Sequence, residues 1–67
     1  MDAKKNLATN MKRLRKDRGW SQEALADESG LDRTYVSGLE RQVKNPTITV
    51  VQRIAGALQC TMGALLD

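Results

Sequence analysis

The chain has 67 residues, a formal net charge of +3, one cysteine, no histidine and only 3% aromatic residues. A lone cysteine cannot build a disulfide framework within one chain, and zinc sites draw several ligands from Cys, His and carboxylates, so no metal centre is expected. No apolar run approaches the roughly 20 residues that cross a bilayer, and the start lacks the apolar core of a secretory signal, so a single cytoplasmic domain over residues 1–67 with a modest aliphatic core is expected.

The charges are unevenly distributed. Residues 1–20 hold Lys4, Lys5, Lys12, Arg13, Arg15, Lys16 and Arg18 against Asp2 and Asp17. Residues 21–40 reverse the sign with Glu23, Asp27, Glu28, Asp32 and Glu40 against Arg33. Residues 41–67 turn basic again with Arg41, Lys44 and Arg53 against Asp67. Such asymmetry suits a polyanion held on one face, and equally a solvated basic helix. With no histidine, no glycine-rich phosphate loop and no carboxylate pair, neither an enzyme nor a cofactor site is expected.

Apolar spacing is helical throughout, which predicts an all-α chain of about five helices. Leu7, Met11 and Leu14 form the stripe of a first helix. It ends near Arg18, because Gly19 follows a basic last turn and suits a left-handed cap. Ser21 caps a second helix that runs to about Ser29, and Gly30 supplies a positive φ at little steric cost. Asp32 caps a third helix whose inward residues are Val36 and Leu39. The segment from Val43 to Pro46 breaks the pattern. Thr47 caps a fourth helix carrying Val50, Val51, Ile54 and Leu58, and Thr61 caps a short fifth with Met62, Leu65 and Leu66.

Two short helices joined by the turn Ser29, Gly30, Leu31 make residues 22–41 a helix-turn-helix candidate. Ala26 allows close crossing, and Leu25, Leu31, Val36 and Leu39 lock the angle. Arg33, Thr34, Ser37, Gly38 and Arg41 are left on the outer side of the third helix. In a helix-turn-helix that helix enters the major groove of double-stranded DNA and reads bases mainly with its N-terminal residues. The missing side chain of Gly38 either lets the helix sit close to the groove or avoids a clash with a neighbouring helix. Trp20 is expected as a core or rim anchor, and Cys60 as a small buried apolar residue.

Residues 11–66 resemble the Cro/repressor-like (XRE-type) helix-turn-helix family. The resemblance rests on Arg13-Leu-Arg-Lys-x-x-Gly19, Ser21-Gln-Glu-x-Leu-Ala26, Ser29-Gly-Leu31, Tyr35-Val-Ser-x-Leu-Glu-Arg41, Asn45-Pro46, Ile54-Ala55-x-Ala-Leu58 and Leu65-Leu66. Residues 31–41 also resemble the recognition segment of restriction–modification controller proteins. The resemblance implies a lambda-repressor-like bundle and a transcriptional regulator, a repressor before an activator, bound to operator half-sites as a homodimer.

The resemblance also implies roles for single residues. Arg33 and Thr34 fall at base-reading positions: arginine can bond O6 and N7 of guanine, and a threonine methyl can contact that of thymine. A phosphate contact or a solvated side chain is the alternative for Arg33. Ser37 reaches a base or a phosphate. Ser21 and Gln22, at a helix N-terminus, would meet phosphate, and Gln22 would also brace the third helix. Arg41, Gln42, Lys44 and Asn45 would grip the backbone, and Tyr35 would bond a phosphate or cover the core edge. Arg15 and Glu40 would form an internal ion pair. Met62, Leu65 and Leu66 are the expected dimer surface. An antitoxin-like protein-interaction module is the alternative use of the same fold.

Overall fold

The computed structural model describes residues 2–67. Five helices follow one another, α1 (Ala3–Asp17), α2 (Gln22–Ser29), α3 (Arg33–Glu40), α4 (Ile48–Leu58) and α5 (Met62–Leu66). No helix among the described residues is long and apolar enough to cross a membrane.

Each helix begins on a side chain that satisfies one of the orphan N–H groups of its first turn. Asp2 accepts from Lys5 N, Ser21 from Ala24 N, Asp32 from Thr34 N, Thr47 from Val50 N and Thr61 from Ala64 N. The first four helices share one way of ending. The chain turns left-handed at the cap or at the residue past it, and the next N–H reaches back to the carbonyl five residues before it. Gly19 and Gly30, both at φ 70°, serve this turn for α1 and α2. Gln42 (φ 63°) and Gln59 (φ 54°) serve it for α3 and α4. The closing bonds are Trp20 N to Arg15 O, Leu31 N to Ala26 O, Val43 N to Gly38 O and Cys60 N to Ala55 O, all between 2.9 and 3.0 Å.

The core is aliphatic, as the composition requires. Leu7 and Met11 of α1, Leu25 of α2, Val36 and Leu39 of α3, Ile54 of α4 and Leu65 of α5 are fully buried. α1 lies against α3, α4 and α5, while α2 packs on α3 and α4. The small Ala26 is buried where α2 meets the core, consistent with the close crossing its size permits.

Long-range polar contacts join the helix ends. Arg18 donates to the Leu58 carbonyl at 2.8 Å, at the negative end of the α4 dipole, and its guanidinium lies 5.1 Å from the Trp20 ring centre. Arg53 donates to the Gly30 carbonyl at 3.3 Å, clipping α4 to the turn between α2 and α3. Asn6 and Asn10, one turn apart on α1, donate to the carbonyls of Leu66 and Leu65 at 3.0 and 2.9 Å.

These contacts correct the expectation for the last helix. Leu65 is fully buried inside its own chain, where the two asparagines clamp α5 to α1, and offers no surface to a second copy. Met62 and Leu66 stay half-exposed. Cys60 is half-buried rather than enclosed, and burial pushes its thiol pKa up, with Arg18 opposing.

Candidate nucleic-acid interface

α3 carries two polar sets on different sides. At 100° per residue, Val36 and Leu39 define the buried side, with Glu40 beside it, and Thr34, Gly38 and Arg41 lie roughly opposite. Arg33, Thr34 and Arg41 are exposed, and Ser37 is half-buried. Among the described residues, the side chains of Arg33, Thr34 and Arg41 make no hydrogen bond or ion pair within the chain. The Asp32 carboxylate, by contrast, is engaged with Thr34 N at 2.7 Å.

The inner set is fully paired. Arg15 Nε and Nη2 donate to Glu40 Oε2 and Oε1 at 2.8 and 2.9 Å, a two-pronged ion pair. The third prong, Nη1, donates to the Trp20 carbonyl at 2.8 Å. Side-chain exposure is 10% for Arg15 and 3% for Glu40, so water scarcely screens the pair. The hydrogen bonds that Arg15 donates to Glu40 raise the Arg15 pKa against desolvation, and the carboxylate's charge adds to the rise. Gln22 Nε2 also donates to Glu40 Oε1, at 3.1 Å. The first residue of α2 is thereby fixed to the last residue of α3, leaving the second amide hydrogen of Gln22 for an external acceptor. Ser21 accepts from Ala24 N through Oγ, and its hydroxyl proton likewise remains.

The segment after α3 folds back over the helix. Arg41, Gln42, Val43, Lys44 and Asn45 are all exposed. The Tyr35 hydroxyl donates to the Asn45 carbonyl at 3.2 Å and fastens this loop. Its single proton is thus used inside the chain, and a phosphate contact from Tyr35 requires breaking that bond. Gly38 is covered by Val43 and Lys44 of the same loop, so the neighbour that a side chain there would meet is the loop and not another helix. Arg53 and Arg18 were not legible as clamps in the sequence, because their partners are backbone carbonyls 23 and 40 residues away.

An exposed, unpaired polar face on the second of two helices, with a tight glycine turn and an internally locked N-terminus beside it, defines a helix-turn-helix binding domain. The chain belongs to the Helix-turn-helix family, whose model matches residues 11–65. It is 47% identical over 57 residues to a hypothetical transcription factor of Neisseria meningitidis, which covers 85% of this chain but only 54% of that relative's length. It is 41% identical to the control protein C.SmaI of Serratia marcescens, covering 98% of this chain and 79% of that protein. Among solved structures, the restriction–modification controller C.AhdI of Aeromonas hydrophila superposes with a TM-score of 0.88 at 37% identity, covering 92% of this chain and 94% of that one.

Proposed function

We propose that this chain is a sequence-specific double-stranded DNA-binding transcriptional regulator of the repressor or controller type, working in the cytoplasm without a catalytic step. The observation that carries the reading is the uncommitted outer face of α3, held at a fixed angle to α2 by the Arg15–Glu40–Gln22 network. A similar fold, the biofilm regulator SinR, has been solved with DNA, at a TM-score of 0.86 and 31% identity.

In this reading Arg33 and Thr34 read base edges, with Ser37 one turn further on. Ser21 and Gln22 donate their remaining protons to a phosphate at the α2 N-terminus, where the helix dipole favours an anion. Arg41, Gln42, Lys44 and Asn45 hold the sugar–phosphate backbone and set register without reading sequence. Tyr35 serves by holding the loop that carries Lys44 and Asn45.

The domain acts as a homodimer. Its Cα framework is 28 Å at its longest, short of the roughly 34–36 Å between successive half-sites on one face of a duplex. Two half-sites therefore need two copies. Met62 and Leu66 contribute to the contact between copies, and Leu65 supports them from within.

Selection of bound duplexes from a random pool, followed by a salt titration of the winner, tests the reading. Enrichment of two related half-sites about one helical turn apart, with affinity falling steeply as salt rises, is expected. A pool that stays random after selection would overturn it.

A further inference from the structure

Gly38 sits on the outer side of α3 in line with Thr34 and Arg41, yet it is buried. Glycine is the poorest helix former after proline. Gly38 does not use the freedom that excuses glycine elsewhere, since among the glycines of the described residues only Gly19 and Gly30 have positive φ. Its lack of a side chain needs another cause.

The cause lies in the loop. A Cβ at position 38 would stand 2.5 Å from Lys44 Cγ, a separation that real Cβ atoms do not tolerate, and 3.5 Å from Lys44 Cε. The backbone above it is anchored as well, with Val43 N and Lys44 N both donating to the Gly38 carbonyl at 2.9 and 3.3 Å. The methylene stem of Lys44 thus runs across the bare backbone of α3, on the side of the helix that carries Thr34 and Arg41. A lysine stem free in solvent loses rotamer entropy when its ammonium is fixed on a partner, and a stem already laid on a seat loses less.

We propose that Gly38 is a positioning residue whose missing side chain seats the stem of Lys44, so that the ammonium is presented to a DNA phosphate at the edge of the groove that α3 enters. The proposal rests on the reading of Lys44 as a phosphate contact. It assigns the glycine to the lysine rather than to close approach between helix and DNA, and the two assignments separate in a double-mutant cycle.

The experiment measures affinity against salt for the full chain, Gly38→Ala, Lys44→Ala and the double variant, on the duplex recovered by selection. Lys44→Ala should lower the slope of log K against log salt by about 0.9, the contribution of one phosphate. Gly38→Ala should lower it by a similar amount, and the double variant no further than Lys44→Ala alone. If Lys44→Ala lowers the slope and Gly38→Ala does not, the seat is wrong. If Gly38→Ala weakens binding as much without Lys44 as with it, the glycine serves the groove instead, and the seat is again wrong. An unchanged slope in Lys44→Ala refutes the phosphate reading. The seat is then decided by melting, which also covers a poorly folded Gly38→Ala. Its effect on Tm should be more damaging with Lys44 present than in the Lys44→Ala background, and equal effects in the two backgrounds overturn the proposal.

Discussion

The two sides of α3 carry similar chemistry to opposite ends. On the inner side Glu40 meets Arg15 and Gln22 in a nearly water-free network. On the outer side Arg33 and Arg41 stand in solvent with no partner among the described residues. An arginine on one side is scaffold and on the other is available for a ligand. The difference teaches that residue type and helix position do not assign a role; pairing and burial do.

The largest effect should come from breaking the inner side. Removing one partner of a buried pair strands the other and typically costs about 3–5 kcal/mol. A chain of this size commonly has only about 3–10 kcal/mol in hand. Arg15→Ala and Glu40→Ala should therefore melt far below the parent and lose DNA binding by unfolding, as a thermal melt by circular dichroism will reveal. A variant that kept the parental Tm but lost DNA would move this pair from scaffold to contact.

A smaller effect separates two residues of the same type. Gln42 and Gln59 both hold a left-handed turn that side chains other than glycine enter at a cost of about 1 kcal/mol. Gln59→Gly relieves the turn but gives up the 3.3 Å hydrogen bond that Arg18 donates to Gln59 Oε1, so stability should rise by less than about 1 kcal/mol in denaturant titration, with DNA affinity unchanged. Gln42→Gly should gain in stability as well but bind DNA less tightly, because its side chain belongs to the proposed backbone grip. If both variants bind as the parent does, the grip excludes Gln42. The smallest effect is expected on the outer side itself: Arg33→Ala and Arg41→Ala should leave the melt within about 0.5 kcal/mol of the parent, as exposed substitutions usually do.

Much of the fold was legible because its signals are local. The caps Ser21, Asp32, Thr47 and Thr61 and the glycine turns at 19 and 30 act within a few residues of themselves, so their chemistry shows in the string of letters. Gln42 and Gln59 hold the same turn without a matching letter, since glutamine has no preference for it. Leu65 was misread because a core leucine and an interface leucine look alike in a short terminal helix. The packing of α5 on α1 and α4, with the carbonyl clamps from Asn6 and Asn10 far away in sequence, turns it inward. Gly38 stayed ambiguous for a related reason, since the atom that needs its space belongs to a loop residue whose path the sequence does not state. The outer residues of α3 were legible by helical spacing once the inward ones were known, whereas a family resemblance was needed to pair Arg15 with Glu40.

The most direct test of the outer side as a reading surface is the affinity of Arg33→Ala for the selected duplex and for each of its single-base variants. Loss of discrimination at one base position, worth about 1–3 kcal/mol, with the other positions still discriminated, is the predicted result. An equal loss on the selected duplex and on random DNA would mean that Arg33 touches only the backbone, and would contradict the account.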